Sequence, residues 1–422
     1  MIRLYNILQI LLFPFLILPL IALVLLAPGC RIRILHGLGF GLPPATKTNK
    51  EEKTIWIHAI SAGEVTSALP LISELRQALP DSTLIFSSST TEGTEVAKKL
   101  FHDKIDHFIP FPYDILPVIN RFLKKIEPDL FIQVETGFRP NILAACKRKN
   151  IPTLLVNGRI SNKALKSYLR FSFFFRPLFA SFQTLSMQTE NDRQNLIQLG
   201  INQTQIKNLG NLKFDTPLYA NTERNQPLSF SIPENKILMV AGSTHEGEEE
   251  ILLQSYNELK ISFPDLYLII APRTISRGQA IQHLAQQMDL TANCRSNINA
   301  GGKDLFILDT IGDLNSVYSH AQLVLIGGSL VDKGGHNPIN AAVFSIPVLF
   351  GPHMEDFLEI SDELILTGGA SRIQTQAELT AKVRTLLQSN ELSVEYGTSA
   401  KRYIVSKQGV TRNHLILIQE ML

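Results

Sequence analysis

Cysteine is nearly absent from the chain: Cys30, Cys146 and Cys294 are odd in number and far apart. That excludes a disulfide framework and fits reduced thiols in a cytosolic compartment. Net charge is equally scarce. Lys and Arg total 40 against 38 Asp and Glu, a balance of +2, so nothing points to nucleic acid and any basic partner surface has to be local. A zinc pattern is missing too, since His58, His245, His336 and His353 share no short ligand spacing. Each reads instead as a hydrogen-bonding group at a strand end. At 422 residues a single core is insufficient, and two domains of roughly 150 to 200 residues are expected after the amino terminus.

Long apolar runs are confined to the amino terminus, where Ile7 to Pro28 is apolar except for Gln9. The run is long enough to cross a hydrocarbon layer of about 30 Å. Arg31, Arg33 and His36 follow it and only Arg3 precedes it, which puts the carboxyl-terminal side in the cytoplasm. Pro14 and Pro19 allow a kinked span or a shallow re-entrant anchor. A cleaved signal peptide is the alternative, but the run exceeds an h-region of ~7 to 15 residues. Residues Ala27-Pro28-Gly29-Cys30 lack the leucine-like residue of a lipoprotein site. A membrane anchor is therefore expected over residues 1–30.

Residues 31–53 read as a flexible linker. The glycines of GLGFG within it follow no strand and precede prolines, so they are not a dinucleotide fingerprint. From residue 54, short apolar runs alternate with helical patterns: TIWIHAI, TLIFSSS, DLFIQVE, TLLVNG. Such alternation predicts a parallel sheet covered on both faces. The pattern breaks at Thr216 and resumes with KILMVAG, LYLIIAP, DLFILD, AQLVLIGGS and IPVLFG. The expected plan is a first doubly wound domain at 54–215, a linker at 216–235, a second doubly wound domain at 236–405, and a helix at 406–422 returning to the first domain. A ligand cleft is expected between the domains, where strands end.

Chemistry is sought at those strand ends. Residues Leu323 to Ile326 run into Gly327, Gly328, Gly334 and Gly335, then Asn337 and Pro338. Glycine lets amides approach a ligand, Asn337 suits a cap and Pro338 a first helical turn, giving a cradle for a phosphate diester or diphosphate. A glycine-rich turn that merely joins strand to helix is the competing reading. After KILMVAG, Gly242 and Ser243 are placed to donate to phosphate, and Glu246, Glu248 and Glu249 suit a first helical turn. Arg273 and Arg277 either offset leaving-group charge or are ordinary surface arginines.

In the first half, Ser61-Ala62-Gly63-Glu64 leads from a strand into a helix. A helix start keeps the Glu64 carboxylate ionised and ready to accept a hydroxyl proton; a helix-capping glutamate is the other reading. Glu135 either orients an acceptor or pairs with Arg139 or Arg159. Arg159 and Lys213, just after strands, are cations for a phosphorylated acceptor. Lys163 to Phe182 mixes Lys163, Lys166, Arg170 and Arg176 with six phenylalanines. It suits an anionic membrane surface or acyl chains, or else an amphipathic core helix.

The stretches WIHAISAGEV, NGRIS, GNLKFD, AGSTHEGEEE, and GGSLVDKGGHNP followed by PVLFGPH resemble, in this order, the Kdo transferases of lipopolysaccharide assembly. Those enzymes move 3-deoxy-D-manno-octulosonic acid (Kdo) from CMP-Kdo onto a lipid A precursor. The resemblance runs from the apolar amino terminus to the carboxyl end. It implies an α/β chain of GT-B class, two doubly wound Rossmann-like domains facing a cleft, behind a membrane anchor. It further implies an inverting transfer without metal or cofactor, with Glu64 as general base. The donor would lie against Ser243, Thr244, Pro272, Arg273, Gly328, Ser329, Gly335, His336, Asn337 and Asn340. The acceptor would lie against Ser61, Gly63, Glu135, Arg159, Lys163 and Lys213. Expected partners are CMP-Kdo, the precursor lipid IVA and a membrane lipid surface, at the cytoplasmic side of a bacterial inner membrane.

Three motifs depart from the family pattern. ETELWPN becomes ETGFRPN at Glu135 to Asn141, PRHPER becomes PRTISR at Pro272 to Arg277, and HNPLE becomes HNPIN, ending in Asn340. The last change removes a carboxylate that in many GT-B enzymes bonds the donor ribose. Alternatives are a divergent GT-B paralogue with another nucleotide sugar or acceptor, a sugar-nucleotide epimerase, and a non-catalytic lipid-binding relative.

Overall fold

The computed structural model describes residues 2–12, 15, 28–42, 52–220, 228, 230, 233, 235–297 and 304–422. The chain forms two compact units, Met1–Tyr219 with Gly409–Leu422, and Ala220–Gln408.

Unit 1 holds β1 (Thr54–Ala59), β2 (Thr83–Ser88), β3 (His107–Pro110), β4 (Leu130–Val134), β5 (Thr153–Gly158), β6 (Thr184–Met187) and β7 (Ile206–Asn208). They pair in the order β3-β2-β1-β4-β5-β6-β7, every pair parallel. Parallel strands covered by helices on both faces must be apolar throughout, which is why β1, β4, β5 and β6 are wholly buried. Successive side chains still alternate: Trp56 packs with Phe122 and Phe131, whereas Ile55 and Ile57 pack with Leu71 and Phe86. Helix starts follow local chemistry. Thr90, Ser161 and Thr189 accept the amides of Gly93, Ala164 and Asp192, and Pro140 opens the helix Pro140–Arg148.

The helix Val410–Met421 belongs to unit 1, with Leu417 and Ile418 in the Ile55 and Leu71 cluster. Asp215 accepts the amides of Gly409 at 2.9 Å and Thr411 at 2.6 Å, and Ser186 Oγ lies 2.8 Å from His414 Nε2.

Unit 2 holds β8 (Ile237–Thr244), β9 (Leu266–Pro272), β10 (Ala292–Cys294), β11 (Leu305–Ile307), β12 (Leu323–Ile326), β13 (Val348–Phe350) and β14 (Ala370–Arg372). Their order is β10-β11-β9-β8-β12-β13-β14, again parallel. Each sheet therefore has one point where the strand order reverses: between β1 and β4, and between β8 and β12. Loops leaving the carboxyl ends of such a pair diverge and open a crevice, the usual ligand position in doubly wound sheets.

The amino-terminal region differs from expectation. Residues 31–42, read as flexible linker, continue the helix Pro28–Gly37 and a turn that docks on unit 1. The cause is apolar burial of Ile34 and Leu42, with Tyr113 N–H donating to Gly37 O at 3.1 Å. Residues 2–12 are helical. Tyr5 hydroxyl donates to Asp114 at 3.1 Å, and Gln9 bonds Asp114 O at 2.9 Å and Asn141 Nδ2 at 3.3 Å. Leu4, Ile7, Leu8, Ile10 and Leu11 stay exposed. Residues 13–14 and 16–27 of the expected anchor lie outside the described residues, as do residues 43–51. Among the described residues no helix is long and apolar enough to cross a membrane. The expected linker at 216–235 begins with the short helix Thr216–Ala220, and 221–227, 229, 231–232 and 234 are again outside the described residues.

Candidate active site

Glu64 stands in the first turn of the helix Ala62–Ala78, immediately past β1, behind an extended Ser61 whose side chain makes no capping bond. The carboxylate turns back toward the strand end instead. Its Oε2 accepts the Ile60 amide at 2.5 Å, and Ser61 Oγ donates to Oε1 at 3.4 Å. Burial, helped by the negative charge of Glu135, pushes the Glu64 carboxyl up to about 7 despite those bonds. The expected fully ionised carboxylate is thus corrected. Desolvation outweighs the helix start, and near neutral pH the group is divided between its two forms, as suits a general base. Gly63 is exposed beside it.

Glu135, at the end of β4, occupies the other side of the reversal point. It and Asn157, at the end of neighbouring β5, both adopt left-handed backbone, with φ of 58° and 57°. Asn157 Nδ2 donates to Glu135 Oε1 at 3.2 Å, and Lys213 Nζ lies 3.8 Å from the same oxygen. Glu135 therefore has Lys213 as an ion partner, which the expected pairing with Arg139 or Arg159 did not include. Arg139 is engaged elsewhere, bonded to Ser89 Oγ at 3.3 Å and lying over the Phe111 ring. Arg159 exchanges backbone bonds with Thr136 Oγ1 at 3.0 and 2.7 Å, leaving its side chain exposed. Asn157, which sequence reasoning passed over, is the hub. Its Oδ1 accepts Leu212 N–H at 3.0 Å and its carbonyl accepts Gln188 at 2.9 Å, tying NGRIS to GNLKFD. Unit 1 so gathers Ser61, Glu64, Glu135 and Lys213 around one strand-order reversal.

Lys163 lies farther out, exposed on the helix Asn162–Arg170 with Lys166 and Arg170. The phenylalanines that follow divide between two roles. Phe175 and Phe179 pack with Phe138 and Tyr168 at centroid distances of 4.4 to 5.8 Å, whereas Phe171 and Phe173 face solvent. His58 is fully buried, stacked on Phe111 at 3.6 Å, and burial holds it neutral with its pKa lowered to about 3.

In unit 2 the expected phosphate cradle holds the chain's own carboxylate. Glu248, at the start of the helix Glu248–Ser262, is fully buried. Its Oε2 accepts Gly328 N–H at 2.7 Å and His245 N–H at 2.8 Å, and its Oε1 accepts Ser329 at 2.9 Å and Leu330 at 2.8 Å. The amides of Gly328 and Ser329 are therefore not available to a donor phosphate. Ser329 is consumed as well, its hydroxyl bonded to Ile326 O and Gly351 N–H. Thr244 is buried against Glu249 at 3.2 Å. The helix after Pro338 spans only Ile339–Ala342, so its dipole is small; Asn337 Oδ1 accepts Ile339 N–H at 3.0 Å as a cap.

What remains open to a ligand at this reversal point is side-chain chemistry. His245 Nε2 and His336 Nε2 lie 2.9 Å apart, with near-parallel rings. Gly328 has φ of 67° and its absent Cβ would sit 3.1 Å from His336 and 3.3 Å from His245, so a side chain there is strained and crowds the pair. Gly335 N–H fixes the loop by donating to Gly328 O at 2.9 Å. Arg273 is exposed past Pro272 and has no ion-pair partner among the described residues, while Arg277 pairs with Glu249 at 3.2 Å and Glu246 at 3.1 Å. Ser243 sits at φ of 61° beside them, and Asn340 is half-buried in the short helix. Among the described residues, Asp332, His353 and Glu355 form the one group of potential metal ligands, a surface cluster with His353 Nδ1 3.9 Å from Asp332 and 3.4 Å from Glu355. Cys146 and Cys294 are buried and unpaired.

The profile of the 3-deoxy-D-manno-octulosonic-acid transferase (kdotransferase) family matches residues 37–216. A 3-deoxy-D-manno-octulosonic acid transferase of Rickettsia typhi is 32% identical over 377 residues, covering 88% of this chain and 80% of that one. The chain belongs to the Kdo transferase family. It is accordingly a glycosyltransferase. A Kdo transferase of Haemophilus influenzae is 28% identical over 94% of this chain and 93% of its own. Another relative, a bifunctional glycosyltransferase/methyltransferase of Fusobacterium nucleatum, is 30% identical, and this chain spans 53% of its length. Among solved structures, a glycosyltransferase from Rickettsia africae superposes with a TM-score of 0.58, 15% identity, and coverage of 88% of this chain and 99% of that one. A UDP-N-acetylglucosamine 2-epimerase from Listeria monocytogenes gives 0.61, 14% identity, and coverage of 86% and 95%. These likenesses carry the fold, and the GT-B expectation holds at the level of two Rossmann-like units.

Within the Kdo transferase pattern, the departure at Gly137 lies against Ile60, whose flexible side-chain end would have to move for a larger residue. A Cβ there would lie 2.6 Å from Ile60 Cδ1, at the loop that bonds Glu64. Phe138 and Arg139 are both built into aromatic contacts, with Tyr168 and Phe111 respectively.

Proposed function

We propose that this Kdo transferase moves Kdo from CMP-Kdo onto a hydroxyl of a lipid A precursor of the lipid IVA type, by direct displacement with inversion and without a metal. The observation that carries the reading is Glu64 at the strand-order reversal of unit 1, its carboxyl raised to about 7 and backed by the Glu135–Lys213 pair. In this reading Glu64 takes the acceptor proton as the oxygen attacks the anomeric carbon of the donor. CMP leaves as Arg273 and the neighbouring imidazoles of unit 2 stabilise its charge. Lys213 and Arg159 receive an anionic acceptor group.

The surface reading rests on the exposed Phe171 and Phe173 beside exposed Lys163, Lys166, Arg170 and Arg176, and on the exposed leucines and isoleucines of residues 2–12. Together these favour work at the cytoplasmic face of a bacterial inner membrane. A paralogue using another nucleotide sugar is the second reading, favoured by Asn340, which offers hydrogen bonds but no charge where a ribose would be held.

Incubation with CMP-Kdo and a tetra-acylated lipid A precursor, followed by mass analysis of the lipid, tests the reading. Added octulosonate mass is the expected result. Its absence, with transfer from another member of a panel of nucleotide sugars, selects the second reading.

A further inference from the structure

The three loops that leave β8, β9 and β12 bring His245, Arg273 and His336 to one place. The two imidazoles meet through Nε2 at 2.9 Å, which requires that one nitrogen donates and the other accepts. In this hydrogen bond the pair holds a single proton between the two Nε2 atoms. Every group that bears on it is identifiable. Glu248 acts on His245 from the helix below; Arg273 and Arg277 act from the loop after β9, and Lys333 from the loop after β12. Glu248 is already saturated by four amides, and Arg277 is neutralised by Glu246 and Glu249. Burial holds both imidazoles below their ordinary range, helped by Lys333 and Arg273 at His245 and by His245 and Arg273 at His336, which lies at about 4.

A second proton on this pair would put N–H against N–H and break the bond between the rings. The same proton would create two parallel donors, an arrangement that an anion lodged against both stabilises through charge-assisted bonds. We propose that His245 and His336 form a proton-coupled anion site, which takes up one proton from solvent as it binds the phosphodiester of an activated nucleotide and returns it when the site empties. The added proton goes to the accepting Nε2, the hydrogen bond between the rings breaks, and two N–H···O bonds to the phosphate oxygens form. No redox or covalent step is involved. The site deepens the transferase reading given above and supplies its donor pocket with charge that Glu248 denies it by occupying the loop amides.

Calorimetry of the full chain in buffers of different ionisation enthalpy tests this near neutral pH. The probe is the methyl ester of cytidine 5′-monophosphate, whose phosphodiester does not titrate there, with sulfate as a second silent anion. Uptake of about one proton per bound diester is expected. His336→Gln and His245→Gln should each abolish that uptake and weaken diester binding on the order of tenfold. Binding without proton uptake, or uptake that persists in both variants, overturns the proposal. Proton-coupled binding of sulfate but none of the cytidine diester keeps the anion site and removes the cytidine donor. Failure of both anions to bind overturns the site itself.

Discussion

One carboxylate oxygen of Glu248 accepts the amide proton of Gly328, 80 residues later, at 2.7 Å. Together with the His245, Ser329 and Leu330 amides, this locks the loop after β8 to the loop after β12 at the point where the sheet of unit 2 reverses order. Glu248→Ala would leave four buried or half-buried N–H groups without an acceptor, each costing about 1 to 3 kcal/mol when unsatisfied. Urea unfolding should therefore show unit 2 destabilised by several kcal/mol. Glu248→Gln keeps one carbonyl oxygen but turns an amide donor toward donors, so an intermediate loss is expected. Equal stability of all three proteins would show that water satisfies the amides as well as Glu248 does.

Glu64 gives a prediction in pH. Its folded pKa is raised, so the base form appears as pH rises through about 7, and kcat should climb through a midpoint there. Glu135→Gln removes a negative charge that favours the protonated form, so the midpoint should move to lower pH. Glu64→Gln should cut kcat by roughly 10² to 10⁴ while leaving nucleotide affinity nearly intact. It should also stabilise the fold above neutral pH, because a carboxyl with a raised folded pKa progressively loses stability as pH rises between the unfolded and folded values. A pH profile of Glu135→Gln that overlays the parent would detach Glu135 from the base.

The architecture was legible because buried parallel strands leave near-continuous apolar runs: KILMVAG became the body of β8 and DLFIQVE that of β4. The strand-to-helix turn before Glu64 was legible for the same reason. Its protonation was not, since it follows from burial of the carboxyl in the folded unit, with Glu135 adding its charge from a strand that adjoins β1 in space but lies far along the chain. The glycines after β12 announced close backbone approach without saying to what, and the occupant, Glu248, carries only the local signature of a helix start. The His245–His336 pair had no spacing signal because its members sit on loops after β8 and β12.

Acid should loosen unit 1 through His414. It is fully buried and its pKa is lowered by burial to about 4, so the fold holds it neutral. A histidine with a depressed folded pKa contributes stability that is present above the unfolded value of about 6.5 and lost as pH falls toward 4. The loss by the lower end is roughly 3 kcal/mol. Denaturant titrations from neutral pH down to that point should show this decline, and His414→Gln should flatten part of it. A pH-independent difference between the two proteins would assign His414 a packing role alone.

The split of the Lys163 to Phe182 stretch separates stability from surface binding. Phe175 and Phe179 support Phe138 and Tyr168, so their truncation should cost about 3 to 5 kcal/mol where burial is complete, as for Phe179. Phe173, 66% exposed, and Phe171, 47% exposed, have little folded-state contact to lose. The double variant Phe171→Ser with Phe173→Ser should unfold within about 0.5 kcal/mol of the parent. If these rings enter a lipid interface, each contributes about 1.5 to 3 kcal/mol of burial at full depth, and the neighbouring cations add about 1 kcal/mol each near anionic lipid. Flotation of the full chain with vesicles containing anionic phospholipid should then show the variant bound at least about tenfold more weakly, with the parent's binding falling as salt rises. Unchanged flotation at unchanged stability would move the lipid contact away from this face and onto the exposed leucines and isoleucines of residues 2–12.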